Sequence, residues 1–502
     1  MDLDPDACYR AFGARDARFD GRVFVGVHTT GIYCRPICPA RSAKRENVSF
    51  FTSAAAAQAA GFRPCLRCRP ELSPDTAAWH GTAQTVARAL TLIEAGALDD
   101  GSVEDLAARL GVGGRQLRRL FQQHVGASPL AVAQTRRVLL AKQLIHDTSL
   151  TMTEVALASG FGSVRRFNET FRQLFQRPPA ALRRSWEAVG SDAGAVTIRL
   201  PYRPPYDWDA IHAFLAAQAI PGVEGVTPDS YARTIVLNGE SGTLVVALGD
   251  DHTLRATIRF PRMAALPRII ARLRSVFDLS ADPARIDAHL AGDVALAPLI
   301  AARPGMRAPG AWDGFELAVR AILGQQITVS AATNLVGRLV EAVGVVVDDP
   351  VARALRLTHL FPTPHQLAAA DIVRLDLVPG TRSIALSSLA AAVAADPALL
   401  GPYRDLEGAV SQLRSLPGIG EWTAQYIALR ALREPDAFPV ADVGLQRALT
   451  GLLDHCPTSA ELLARVECWR PWRAYAAMHL WALLGMPVRS VYQQHQEERR
   501  VA

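Results

Sequence analysis

The chain has 502 residues, 49% of them hydrophobic, and a net charge of +6. That length suggests about three or four domains, each with enough apolar material for a core. No apolar run reaches the ~18–20 residues that cross a bilayer, and the acidic start MDLDPDACYR is not a secretion signal, so the expected location is the cytoplasm, away from membranes. The basic excess is carried mainly by Arg, whose planar fork grips phosphate in a bidentate way. A GC-rich genome would favour Arg and Ala as well.

Four segments are expected: residues 1–75, 80–186, 196–305 and 306–495, with a linker at 189–195. The first holds five of the seven cysteines, and four of these fall in one short stretch, Cys34, Cys38, Cys65 and Cys68. Their spacing is C-x3-C, then 26 residues, then C-x2-C. Two short-spaced pairs with a long insert let a chain fold around a tetrahedral ion. Four thiolates suit zinc, so one zinc ion is expected, structural or reactive. Zinc with four thiolates has a formal charge of −2. Arg35, Arg41, Lys44, Arg45, Arg63, Arg67 and Arg69 surround the cluster in sequence and would offset that charge. Cys8, Cys456 and Cys468 lie in other contexts, and the last two read as structural.

The runs GIYCRPICPAR, RENVSFF and AGFRPCLRCRP resemble the N-terminal zinc domain of the Ada family. The resemblance implies methyl transfer from a DNA methylphosphotriester to Cys34, with Cys38, Cys65 and Cys68 holding the metal beside it. Arg45 and Arg67 would then meet DNA. Methylating one thiolate takes the cluster from −2 toward −1, which would ease repulsion of nearby phosphates.

The second segment contains a repeat at an offset of about 50 residues. Glu104 meets Glu154, Leu117 meets Phe167, Phe121 meets Phe171 and Pro129 meets Pro179. Each copy opens on a capping-box pattern, weak at Ser102–Asp105 and good at Thr151–Glu154, then reads helix, turn, helix. LAARLGVGGRQLRRLFQQHVGASP and VALASGFGSVRRFNETFRQLFQRPP resemble the paired helix-turn-helix of the AraC family. The resemblance implies that Arg115, Arg118 and Arg119, then Arg165, Arg166 and Arg172, face DNA. The second copy departs at its tail, where Gln176 replaces Gly126.

In the C-terminal half, Leu416-Pro417-Gly418-Ile419-Gly420 separates two helical stretches. A Gly-rich turn entering a helix offers free backbone N–H groups to a phosphate, although a plain packing corner has the same look. Asp442 follows some twenty residues on, as a carboxylate for chemistry or as a helix N-cap. YRPPYDWDAIHAFLAAQAIPGVE, FELAVRAILGQQITVSAA, LPGIGEWTAQYIALR and CWRPWRAYAAMHLWALLG resemble the AlkA-type 3-methyladenine DNA glycosylases. The resemblance implies an α+β, TBP-like subdomain followed by a helix-hairpin-helix fold. It places Pro417, Gly418 and Gly420 on the DNA backbone and Asp442 at the sugar. Trp422, Tyr426, Trp481 and Phe214 would form a π-rich pocket for a flipped, cationic base. Trp422 stands where strand-cutting relatives carry a lysine nucleophile, so a monofunctional hydrolase is implied. Gln326 occupies the position of the apolar wedge that fills the emptied stack, with Ile327 beside it.

The expected whole is a multidomain, mainly α protein with α+β parts. It would be a DNA repair glycosylase fused to a zinc methyl acceptor and a transcription regulator. The implied partners are alkylated double-stranded DNA, promoter DNA and RNA polymerase, for a monomer at the bacterial nucleoid. No Pro-Cys-His-Arg motif is present, so an O6-alkylguanine transferase half is not expected. The rival is a regulator whose glycosylase half only grips DNA.

Overall fold

The computed structural model describes residues 4–74, 82–183, 194–375, 380–401, 406–453 and 459–485. Most of the expected linker at 189–195, and Cys456, lie outside them. No helix among the described residues is long and apolar enough to cross a membrane.

The N-terminal unit is built on a small sheet of β1 (Phe24–Val27), β2 (Ile32–Cys34), β3 (Val48–Phe51) and β4 (Arg63–Pro64), in the order β3-β1-β2-β4. β1 pairs antiparallel with β2 and β3, and β2 runs parallel to β4. Phe24, Tyr33, Ala57 and Phe62 form the core beneath it. Cys34 ends β2 and Cys65 directly follows β4, so the β2–β4 pairing brings the two cysteine pairs together.

The repeat folds as two helix-turn-helix units flanking a long helix, Pro129–Asp147. Both capping boxes form, Ser102 with Asp105 and Thr151 with Glu154. The second helices, Gly114–Val125 and Val164–Phe175, are strongly two-faced. In the latter, Phe167, Phe171 and Phe175 are buried at intervals of four, with ring centroids 4.8 and 5.3 Å apart. Arg165, Arg166 and Arg172 point out. Truncating one of these phenylalanines to Ala removes packing worth about 3–5 kcal/mol.

The change at Gln176 leaves the tail geometry intact. Gly126 caps the first copy at φ +74, and Gln176 caps the second at φ +56. A side chain in the left-handed region carries a cost of about 1–2 kcal/mol that glycine avoids. Gln176→Gly is therefore expected to raise stability by about 0.5–1 kcal/mol in urea unfolding, once glycine's larger backbone entropy is subtracted.

A five-stranded antiparallel sheet follows, of β5 (Val196–Pro201), β6 (Glu224–Thr227), β7 (Ser230–Leu237), β8 (Glu240–Leu248) and β9 (Thr253–Arg259). Its order is β5-β9-β8-β7-β6. The sheet does not stand apart from the helix-turn-helix region. Val138, Ala141, Leu144 and Ile145 of the long helix share one apolar cluster with Ile198, Leu200, Leu244 and Val246. The last unit packs helices around the buried helix Gly314–Leu323. Glu316 of that helix is 4% exposed and pairs with Arg233 of β7 (2.6 Å) and with Arg320 (2.8 Å). Burial alone would raise its pKa, yet the two guanidinium groups hold the carboxyl well below its usual range. That ion network clamps the sheet to the helical unit.

Candidate functional site

The four cysteine sulfurs all lie within 4.8 Å of one another, and every one is buried. A tetrahedral ion with Zn–S bonds of about 2.3 Å sets its sulfurs about 3.8 Å apart, so the donor set fits zinc in number, kind and size. Packed this closely, the four thiols are strongly coupled. Hydrogen bonding to Cys38 raises Cys34 far above the thiol range, whereas hydrogen bonding with Cys34 lowers Cys65 far below it. Backbone N–H groups support the sulfurs from outside: Arg35 donates to Cys68 Sγ (3.4 Å) and Arg67 to Cys65 Sγ (3.3 Å).

The expected cationic rim divides into two sets. The Arg35 guanidinium is spent on Asp20 and on the Cys68 carbonyl. Arg69 is spent on Glu71 (3.0 Å) and Asp147 (2.9 Å). Arg41 and Arg67 are exposed, and so is Arg45, which lies against the Tyr9 and Phe50 rings. On the recognition helices Arg118 pairs with Glu104 (2.6 Å) and Arg165 with Glu169 (2.8 Å). Arg115, Arg119 and Arg166 are exposed, with no acidic partner among the described residues.

In the C-terminal unit the hairpin joins helices Leu406–Arg414 and Glu421–Arg430. Its two glycines serve different ends. Gly418 has φ +77, and a Cβ there would lie 2.4 Å from Ala385 Cβ. Gly420 has an ordinary φ of −83 and caps the second helix, with open space where a Cβ would be. Gly418→Ala is expected to cost about 2–4 kcal/mol in urea unfolding, from strain plus overpacking. Gly420→Ala should leave stability within about 1 kcal/mol and weaken DNA binding, because the methyl enters the space before the free N–H groups. Equal stability losses in both variants would contradict this division.

Beyond the hairpin, Asp442 precedes the helix Val443–Leu453. Trp422 Nε1–H donates to its Oδ2 (2.8 Å), while Trp481 Nε1–H (3.1 Å) and the Leu445 N–H (2.8 Å) donate to its Oδ1. Asp442 is thus a helix cap and the centre of an aromatic cluster at once. Trp422 stacks on Tyr426 at 5.3 Å and 6°, and Trp481 meets Tyr426 edge-on at 6.2 Å. Phe214 arrives from the helix Trp208–Ala217, in the sheet-bearing unit. Trp422, Tyr426 and Trp481 cluster directly, and Phe214 reaches them through Arg430, which lies 4.6 Å over the Phe214 ring and 5.6 Å over the Tyr426 ring.

Four family models match in chain order. They are the metal binding domain of Ada over residues 7–71, a helix-turn-helix domain over 106–185, the AlkA N-terminal domain over 197–313 and the HhH-GPD superfamily base excision DNA repair protein over 319–474. The chain is 43% identical over 492 residues to the "Probable bifunctional transcriptional activator/DNA repair enzyme AlkA" of Mycobacterium tuberculosis, covering 97% of this chain and 98% of that one. This chain belongs to the Ada–AlkA fusion family. Its C-terminal part is 37% identical to the "DNA-3-methyladenine glycosylase 2" of Escherichia coli, over 57% of this chain and 97% of that one. Its N-terminal part is 37% identical to the Escherichia coli "Bifunctional transcriptional activator/DNA repair enzyme Ada", over 32% of this chain and 43% of that one. Among solved structures, the 3-methyladenine DNA-glycosylase from Archaeoglobus fulgidus superposes with a TM-score of 0.50 at 22% identity, over 57% of this chain and 97% of that one. That likeness concerns the fold.

Several residues of this Ada–AlkA fusion were invisible to motif reading. Gln325 donates to the Gly418 carbonyl (2.8 Å) and to Thr423 Oγ1 (3.1 Å), tying the turn after Leu323 to the hairpin. Its neighbour Gln326 stands exposed on that turn with φ +59, a strained conformation that turn and hairpin together impose. Ile327 is exposed beside it. Buried Arg430 lies 4.6 Å over the Phe214 ring and donates to Tyr426 Oη (2.8 Å). Lys142, with no exposure, donates to the Cys65 carbonyl (2.9 Å) and to Glu71 (2.5 Å). Cys468 is exposed.

Proposed function

We propose that this protein removes alkylated bases from DNA by hydrolysing the N-glycosidic bond, and that Cys34 accepts a methyl group from DNA methylphosphotriesters. One observation carries the glycosylase reading: a carboxylate, Asp442, fixed by two indole N–H groups beside a stacked aromatic pair and next to a hairpin with open backbone donors. The hairpin N–H groups grip the DNA backbone past the lesion. The aromatic cluster receives the extruded base, whose positive charge both favours the π faces and makes the base a good leaving group. Asp442 stabilises the positive charge that develops on the sugar as the C–N bond breaks, and orients the attacking water. Gln326 or its exposed neighbour Ile327 occupies the gap in the stack. An amine nucleophile is not part of the mechanism. The only lysines in the chain are Lys44 and Lys142, both far from this site in the sequence, and Trp422 holds the lyase position.

At the cysteine cluster, a bound zinc ion would keep the thiols deprotonated and nucleophilic at neutral pH. The Cys34 sulfur attacks the methyl carbon, an S–C bond forms, the C–O bond breaks, and a phosphodiester anion leaves. Exposed Arg41, Arg45 and Arg67 hold the flanking phosphates. In this reading the exposed Arg115, Arg119 and Arg166 of the paired helix-turn-helix meet promoter DNA, and RNA polymerase is the partner of the activator.

One incubation with methylated DNA tests both chemistries. Free 3-methyladenine is expected to appear with repeated turnover, and the protein to gain a single methyl group at Cys34 by mass spectrometry. A protein that binds the DNA but releases no base is the regulator-only alternative. Absence of methyl gain would make the metal purely structural.

A further inference from the structure

Against the Tyr426 hydroxyl lies a side chain whose hydrogen-bonding capacity is half used. Gln218 ends the helix that carries Phe214. Its Oε1 accepts from Tyr426 Oη–H (3.2 Å) and lies 3.4 Å from Arg430 Nη1. The direction of this amide is not free. Arg430 has only donors, and the Tyr426 hydroxyl already accepts from Arg430, so its own proton needs an acceptor. Both neighbours therefore demand the oxygen of Gln218, and the amide nitrogen must face the other way. That nitrogen has no hydrogen-bond acceptor among the described residues, and Gln218 is half-buried. Arg430 is itself locked: it is 4% exposed and also donates to the Pro309 (2.5 Å) and Gly310 (3.2 Å) carbonyls. No carboxylate pairs with it among the described residues, so its charge is directed at Tyr426 and Gln218.

We propose that Gln218 is a specificity-determining residue, whose amide nitrogen donates a hydrogen bond to an oxygen acceptor on the edge of the flipped base and so favours 6-oxo over 6-amino alkylated purines. This inference rests on the glycosylase reading above. Tyr426 forms a wall of the pocket, and Gln218 extends that wall at the hydroxyl end of the ring, where the edge of a stacked base would lie. A 6-oxo group accepts from the amide. A 6-amino group presents hydrogens to it, leaving two donors face to face.

The test compares release of 7-methylguanine, a 6-oxo base, with release of 3-methyladenine, a 6-amino base, as a ratio of kcat/KM. Gln218→Leu removes the donor at similar size, and the ratio is expected to fall about tenfold. Gln218→Glu keeps an oxygen toward Tyr426 and Arg430 and turns the donor into an acceptor. The ratio should then fall below that of the Leu variant, a reversal that loosened packing would not produce. The same variants in an Asp442→Asn background are used to read duplex affinity, with one 6-oxo or one 6-amino lesion per duplex. Absent base release in the unaltered protein would overturn the glycosylase reading and leave the affinity comparison standing. Unchanged ratios in both variants, by release and by affinity, would overturn the role of Gln218.

Discussion

Asp442→Asn is expected to lower base release by about 100- to 1,000-fold or more, the scale at which a fixed charge stabilises a developing opposite charge. Asparagine is the informative replacement because it separates the two roles of Asp442. Asn caps helices as well as Asp does, so the Leu445 N–H keeps an acceptor and the helix Val443–Leu453 keeps its start. One indole N–H also keeps an oxygen to bind. What disappears is the negative charge. Stability and affinity for undamaged duplex DNA should therefore change little, within about 0.5–1 kcal/mol. Single-turnover release from a 3-methyladenine duplex, paired with a binding isotherm at matched salt, reads both. Base release at the unaltered rate would move the chemistry away from this carboxylate.

Lys142→Met is expected to destabilise the N-terminal half by about 2–3 kcal/mol, because the buried Glu71 carboxylate keeps Arg69 but loses its fully buried counter-ion. The Glu71 and Lys142 side chains are 1% and 0% exposed. Burial raises the pKa of Glu71, but Lys142 and Arg69 outweigh it and the net shift is downward. The pair therefore contributes stability above the ordinary Glu pKa of about 4.3, and that contribution is lost as the pH falls through the lower folded value. Lys142 also supports the Cys65 carbonyl, so the variant should yield zinc to a competing chelator more readily. Combining it with Glu71→Leu should restore much of the stability, because an apolar pair suits the buried site better than a carboxylate that has lost one of its two cations, and Arg69 keeps Asp147. Urea unfolding of the single and double variants measures this. A loss under about 1 kcal/mol in the single variant would mean that the zinc loop and the long helix are only weakly joined.

That junction is one of several ties between the zinc loop and the rest of the chain. Asp147, at the end of the long helix, accepts from Arg69 of the zinc loop (2.9 Å) and from Arg199 of β5 (3.0 Å). Arg203 donates to the Asp20 carbonyl (2.9 Å), and the Asp20 carboxylate holds Arg35 beside the cysteines. Arg88, before the first helix-turn-helix, pairs with Glu434 of the glycosylase unit. The zinc loop, the long helix between the two helix-turn-helix units and strand β5 are therefore joined directly, and Arg88 adds a tie to the C-terminal unit.

The sequence alone determined the elements whose physics is local. Two close-spaced cysteine pairs, a capping box four residues long, phenylalanines four apart and a five-residue glycine turn all act within a few residues, so their patterns survive in one dimension. The family resemblance added Asp442 and the four aromatics, and the structure gathered them. Only the tertiary structure decided which charges are free. Arg35 and Arg69 look like Arg41 and Arg67 in the sequence, and it takes Asp20, Glu71 and Asp147 to commit them inward. The same holds for Gln218, 208 residues from Tyr426, and for Lys142, 71 residues from Glu71. A glutamine at a helix end and a lysine in a helix are ordinary residues until folding brings an acceptor or a carboxylate to them. Two donors then fix the orientation of the glutamine, and burial makes the charge of the lysine matter, because no water remains to take its partner's place.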